Sequence, residues 1–228
     1  MKLLALETAG PWCSAALMIG DQIEQRLEDA PRRHADLILG MIDGLLQEAD
    51  LSLADLDAVV YGRGPGSFTG VRIAAAVAQG IAFGAGAGVI GVSTLAATAQ
   101  SARRQTGQSH LACALDARMG EVYWAYFEAE PEHPDLRMIE DECVVAPERV
   151  PLLPDRDWCA VGDGWNAYPS LYERQGERIS ERSEAIRAEA QDLLLLAQLE
   201  IANAPPRRAA DALPRYLRNH VAEVSRST

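Results

Sequence analysis

Gly62-Arg-Gly-Pro-Gly-Ser-Phe-Thr-Gly70 is the segment of this 228-residue chain whose residue types best suit contact with a ligand. Gly62, Gly64, Gly66 and Gly70 let the backbone approach a neighbour closely, Ser67 and Thr69 add hydroxyls, and a following helix would present its positive end. A phosphate or carboxylate fits such a loop, and so does tight packing of strand, loop and helix. The loop is no P-loop, because Val71-Arg72 follows Gly70 where Lys-Ser or Lys-Thr would stand. Nor does the interval from Gly66 to Gly70 match a dinucleotide fingerprint. Glu7, followed by Thr8, and Asp116 each end an apolar run beside a turn. Carboxylates so placed can hold a hydrated magnesium near phosphates, or simply stabilise the turns.

Other chemistries find little equipment. Lys2 is the only lysine, and 20 residues are arginine. A Schiff-base, P-loop or kinase lysine would therefore have to sit at the chain's start. His34, His110, His133 and His220 form no HxxxH or HExxH pair, so no metal site or metalloprotease motif is expected. Ser67 lacks the Gly-x-Ser-x-Gly context of a nucleophile elbow. Cys13, Cys113, Cys143 and Cys159 make no CxxC pair and read as thiols in a reducing, cytoplasmic setting. A net charge of −12 disfavours an unaided grip on a nucleic-acid backbone.

The elements that must position these residues alternate clearly in the first half. Strands are predicted over Lys2 to Glu7, Ser14 to Ile19 and Ile23 to Leu27, then an amphipathic helix over 34–49. A buried strand over Asp57 to Tyr61 enters the glycine loop, a helix covers 71–84, and a strand covers Val89 to Val92. Ser93 is a plausible cap for the next helix, through Ala102. The charge-free stretch from Ile73 to Ala102 is long enough to span a bilayer, but its glycines break it into helix, loop and buried strand.

After a polar boundary at 103–109 the opening pattern returns. Ala114-Leu-Asp116 matches Ala5-Leu-Glu7, and Val122 to Phe127 is the returning strand. The echo suggests a duplicated α/β architecture of two facing lobes: an N-terminal lobe over 1–106, completed by a tail over 205–228, and a smaller lobe over 107–204. Loops are expected at 131–135 and 147–154, a short strand at Cys159 to Val161, and a long helix from about Ser183 to Ala204, stopped by Pro205-Pro206. The second half carries most of the excess acid, while the tail after Pro205 holds five arginines.

The two helices of the first half suit a pairing surface. Ile73, Val77 and Ile81 form one stripe of the second helix, and Arg72, Ala76, Gln79 and Phe83 another. Gly40 and Gly44 cost the first helix about 1 kcal/mol each in propensity, which close helix approach could offset.

The run Tyr61-Gly-Arg-Gly-Pro-Gly-Ser-Phe-Thr-Gly-Val-Arg-Ile73 closely resembles the signature of the TsaB (YeaZ) family. The resemblance extends through Leu4-Ala-Leu-Glu-Thr8, Gly91-Val-Ser-Thr-Leu95, Leu115 to Trp124, Val161 to Trp165 and Pro214 to Arg218, essentially the whole chain. It implies a two-lobed actin-like, sugar-kinase-like fold with duplicated mixed sheets. It also implies a non-catalytic cytoplasmic subunit in tRNA threonylcarbamoyladenosine modification. Such proteins pair with TsaD, which holds the metal and modifies an adenosine beside the anticodon, and a TsaE ATPase joins the complex. Family pairing uses the helices at 34–49 and 71–84, with TsaD or with a second copy, which carries His34, Leu37, Ile38, Met41, Leu45, Arg72, Ala76, Gln79 and Phe83 into a candidate interface. No cofactor or metal is implied, no membrane, and tRNA only indirectly. Glu7 replaces the usual aspartate, leaving Glu7, Thr8 and Asp116 as remnants of a nucleotide site, and Ala74 replaces a frequent glycine. The alternative kept open is a stand-alone ATP-dependent phosphotransferase of the same fold.

Overall fold

A computed structural model describes residues 1–129 and 136–218. The loop expected at 131–135, His133, His220 and the tail beyond Arg218 lie outside the described residues.

β1 (Lys2–Glu7) and β2 (Trp12–Ile19) are buried on both faces. Their period-2 alternation sends Leu4, Leu6, Cys13, Ala15 and Leu17 into one core and Leu3, Ala5, Ala16 and Met18 into another. β3 (Gln22–Asp29) continues the antiparallel meander at the edge. β4 (Ala58–Gly62) and β5 (Gly88–Val92) then join parallel, giving the order β3-β2-β1-β4-β5.

The second sheet repeats this plan. β6 (His110–Asp116) pairs antiparallel with β7 (Val122–Ala129). On β7's other side lie β8 (Leu136–Met138) and β9 (Cys143–Val145). β10 (Trp158–Val161) and β11 (Ile179–Ser183) add in parallel beyond β6. β6 thus corresponds to β1, β7 to β2, β10 to β4 and β11 to β5. The duplicated mixed-sheet, two-lobed α/β architecture expected from the sequence is present.

α1 (His34–Glu48) and α2 (Phe68–Ala85) cover the outer face of the first sheet. Ser67 caps α2 by accepting from Gly70 N at 3.4 Å, so the helix starts earlier than the expected 71. By length and composition alone α2 could cross a membrane, yet Ala74, Ala75, Ala78 and Ala82 pack into the sheet core.

The next helix crosses over. α3 (Thr94–Thr106), capped by Ser93, packs Leu95, Ala99 and Ala102 against the second sheet's Leu111, Cys113 and Phe127. Two short helices follow, α4 (Gly164–Ala167) and α5 (Ser170–Gln175). α6 (Ala190–Asn203) returns the exchange, burying Leu193, Leu194 and Ala197 against the first sheet. The expected division at 106/107 therefore does not separate the helices: each lobe's last helix packs on the other lobe's sheet.

α3 and α6 meet at a charged joint. The Asp192 carboxylate, fully buried, accepts from Arg104 Nε at 2.9 Å and Nη2 at 3.0 Å, and Glu189 accepts from the same guanidinium at 3.0 Å. Burial raises the Asp192 carboxyl even with Arg104 bound to it.

One helix boundary needs correction. The long helix expected from Ser183 begins instead at Ala190, and Ser183 ends β11. β11 is an edge strand whose central Ser180-Glu-Arg182 is exposed, so it lacks the apolar alternation that marks a strand in sequence.

Candidate functional site: the glycine loop, the interlobe cleft and the α1–α2 face

The loop between β4 and α2 is packed onto the β1–β2 turn. Ser67 N donates to Ala9 O at 2.8 Å, and Thr8 Oγ1 donates to Gly70 O at 2.7 Å. A Cβ on Gly70 would overlap the Thr8 carbonyl, and one on Gly62 would overlap the Glu7 carboxylate. These two glycines are needed because backbone and carboxylate already occupy the space. Of the two readings open from the sequence, tight packing is what this geometry supports.

Glu7 is 1 % exposed. Ala9 N donates to its Oε1 at 2.5 Å and Thr94 Oγ1 to its Oε2 at 3.1 Å. Burial outweighs these donors and pushes the carboxyl up to about 7. Thr8 is also fully buried. Glu7, Thr8 and Asp116, the three candidate remnants of a nucleotide site, are therefore not brought together. Glu7 and Thr8 are internal to the first lobe, while Asp116 alone lines the cleft.

That cleft, a cavity of about 750 Å³, lies between the lobes. Its walls include Trp12, His34, Ser67, Thr94 and Thr98 on one side, Asp116, Arg118, Tyr123 and Asp163 on the other, and Arg215 to Arg218 across one side. Its arginines are largely matched by carboxylates. Arg118 pairs with Asp116 at 2.8 Å, Arg187 with Asp163 at 3.9 Å, and Arg218 with Glu121. Asp116 Oδ1 also accepts from Arg118 N at 2.7 Å and Tyr168 OH at 3.0 Å. Guanidiniums already paired in this way offer a phosphate chain little free positive charge. Among the described residues no group of three His, Cys, Asp or Glu could hold a metal.

The proposed pairing residues divide sharply. Ile38, Met41 and Leu45 are buried in the first lobe's own core, so their assignment to a partner surface is corrected. A helix on a single sheet must turn its apolar stripe inward, and that stripe is Ile38, Met41, Ile42, Leu45 and Leu46. Leu37 and Gln79 are half-buried, and Gln79 Nε2 donates to Ala209 O at 3.3 Å. His34 Nε2 lies 3.0 Å from Gly10 O, tying α1 to the β1–β2 turn. The Arg72 guanidinium lies 3.4 Å over the Phe68 ring and donates to Tyr216 OH at 2.8 Å.

The outward face has a different composition. Ala76 is exposed, Phe83 is 83 % exposed, and Leu39, 53 % exposed, joins them from α1. A Cβ on Gly40, Gly44, Gly80 or Gly84 would meet nothing within 4 Å. Leu39, Gly80 and Gly84 were absent from the sequence-based interface, whereas Gly40 and Gly44 were already read there as allowing close helix approach. Their signal was the four-residue interval of Gly40 and Gly44 and of Ala76, Gly80 and Gly84, which places each set on one helix face.

A family model described as "TsaD: tRNA N6-adenosine threonylcarbamoyltransferase" matches residues 28–225. The tRNA threonylcarbamoyladenosine biosynthesis protein TsaB of Escherichia coli K12 is 41 % identical over 97 % of this chain and 96 % of its own length. Its Haemophilus influenzae counterpart is 39 % identical over 97 % and 95 %. The solved structure of YeaZ from Pseudomonas aeruginosa superposes with a TM-score of 0.88 at 40 % identity, covering 95 % of this chain and 99 % of that one. A second Pseudomonas aeruginosa structure with the same figures is described as similar to peptidase YEAZ. Coverage is nearly complete on both sides, and the shared fold is the one derived above. The chain belongs to the TsaB (YeaZ) family.

Proposed function

We propose that this chain is a non-catalytic subunit of tRNA threonylcarbamoyladenosine modification that holds a TsaD-like catalytic subunit through the exposed face of α1 and α2. The observation that carries the proposal is that face: adjoining helices in the first lobe expose Leu39, Ala76 and Phe83 beside four glycines with open space above them. A smooth small-residue surface lets partner helices approach closely, and an exposed Phe supplies a side chain for a partner's pocket. The first lobe, residues 1–106 completed by the tail from 205, is the pairing lobe. A second copy of the chain takes the same face when the partner is absent, and a TsaE-like ATPase joins through the complex. tRNA is contacted mainly by the partner.

An accessory role is supported by the matched charges of the cleft and by the burial of Glu7. Both remove motives for a stand-alone phosphotransferase.

The test is co-purification of the chain with a TsaD-like subunit, alongside measurement of threonylcarbamoyladenosine in cellular tRNA after depletion. Ala76→Arg should abolish pairing while the thermal unfolding of the chain, measured at a dilution where the parent is monomeric, stays unchanged. Normal modification levels after complete loss of the chain would sink the proposal, as would an intact complex with A76R.

A further inference from the structure

After α6 the chain runs back over the molecule, extended except for one 3-10 turn at Ala209–Asp211, and its contacts change lobe as it goes. Arg207 zips onto the outer edge of β5, with Val89 N donating to Arg207 O at 2.8 Å and Arg207 N to Val89 O at 2.9 Å. Leu213 N donates to Tyr61 OH at 3.0 Å, and Arg215 N donates to Arg63 O at 2.8 Å. Up to here every backbone anchor lies on the first lobe. The side chains then reach the second. Arg215 pairs at 3.3 Å with Glu142, a buried carboxylate on the connection between β8 and β9. Glu142 also accepts from Ser93 Oγ of the first lobe. Arg218 Nε donates to Glu121 at 2.9 Å, and its Nη2 donates to Ala117 O at 3.1 Å, both in the β6–β7 turn. Residues 215–218 thereby wall the cleft between the lobes.

We infer that residues 205–218 are a strap that ties the second lobe to the first and sets the width of the cleft, with the Arg218–Glu121 pair as its releasable end. The two ends differ in kind. At Arg207 the strap is held by paired backbone hydrogen bonds to a sheet edge, which salt does not screen. At Arg218 it is held by a side-chain ion pair whose partners are 18 % and 36 % exposed, so ionic strength weakens it. Losing that pair leaves the β6–β7 turn held to the strap only by the Arg218 hydrogen bonds to Ala117 O and Arg118 O, while each sheet keeps its own hydrogen bonds. The lobes then gain freedom about their remaining ties, the β5–α3 and β11–α6 connections and the contacts of Glu142 with Ser93, Arg63 and Arg215. Rigid-body motion of lobes about a few connecting residues is the expected form of such a change.

The experiment measures the interlobe distance distribution by pulsed electron paramagnetic resonance on the full chain. Spin labels go on cysteines at exposed Asp21 in the first lobe and exposed Glu173 in the second, with Cys143 replaced by Ser because it alone of the native thiols is not buried. Arg218→Ala, which also removes the hydrogen bonds to Ala117 O and Arg118 O, should broaden the distribution about twofold, and Glu121→Gln, which removes the ion pair alone, should broaden it measurably but less. Combining the two should add nothing further. Arg208→Ala removes an ion pair to Asp211 within the strap that never reaches the second lobe, and should leave the distribution unchanged. Raising salt from about 0.1 M to about 1 M should broaden the parent protein and not Arg218→Ala. Should Arg218→Ala not fold, Glu121→Gln, which keeps shape and size, decides alone. A distribution in Glu121→Gln that superimposes on the parent overturns the inference, and so does equal broadening by Arg208→Ala.

Discussion

Glu7→Gln isolates the cost of keeping one carboxylate in a dry core. The Glu7 carboxyl is 1 % exposed, has no cation among the causes of its shift, and is pushed by burial from 4.5 to about 7. The fold therefore binds this proton more tightly than the unfolded chain does. Its contribution to stability is fully present below about pH 4.5 and is lost as pH rises through about 7. At about 1.4 kcal/mol per pH unit, the shift amounts to about 3 kcal/mol of destabilisation once Glu7 is ionised in both states. Most of this falls between pH 5 and pH 8. Gln keeps the acceptor for Ala9 N and places an amide opposite Thr94 Oγ1, which can rotate to accept. The variant should thus match or slightly trail the parent at pH 5, by about 1 kcal/mol at most, and exceed it at pH 8. Urea unfolding of both proteins at the two pH values gives the difference of differences, in which all other titrating groups cancel. Parallel pH dependences of parent and variant would refute the reasoning, because Glu7 would then carry its ordinary charge inside the fold.

Three further outcomes follow from the packing. Gly70→Ala drives a Cβ into the Thr8 carbonyl and should cost about 1–3 kcal/mol in chemical denaturation, so a loss below about 0.5 kcal/mol would contradict the close approach. Arg104→Ala strands the buried Asp192 carboxylate and should destabilise by about 3–5 kcal/mol at neutral pH, with part of the loss recovered in acid as Asp192 takes a proton. Ile38→Ala should cost about 2–5 kcal/mol in the isolated chain, whereas Leu39→Ala should stay within about 0.5 kcal/mol and weaken pairing instead. Equal stability losses at Ile38 and Leu39 would reverse the orientation of α1.

Much of the fold was legible because local pattern suffices for it. Both-face burial makes β1, β2 and β4 near-continuous apolar runs, and the four-residue spacing of α1 announces a helix without reference to anything distant. The echo of Glu7 in Asp116 marked the duplication, since each carboxylate ends the strand that opens its sheet. What the echo could not tell is that the two carboxylates have opposite surroundings. Glu7 is sealed beneath Gly62 and Thr94, while Asp116 lines the cleft beside Arg118.

By itself the sequence determined the order of strands and helices in the first half, the glycine loop and the family, because these reside in short-range periodicity and in a contiguous signature, whereas β8, β9 and β11 are short or exposed and carry no such pattern. Tertiary structure decided which face of each helix is covered. The apolar stripe of α1, taken for a partner surface, is consumed by the chain's own sheet, and the outward surface is the glycine side that periodicity scores as merely polar or small. It also decided that α3 packs on the second sheet and α6 on the first, since an amphipathic pattern states that a helix has a buried side but not which sheet will bury it. The arginines of the tail read as a basic segment in sequence. In space Arg215 and Arg218 meet Glu142 and Glu121 from residues some seventy to one hundred positions earlier, and charge that looks free along the chain is neutralised across the cleft.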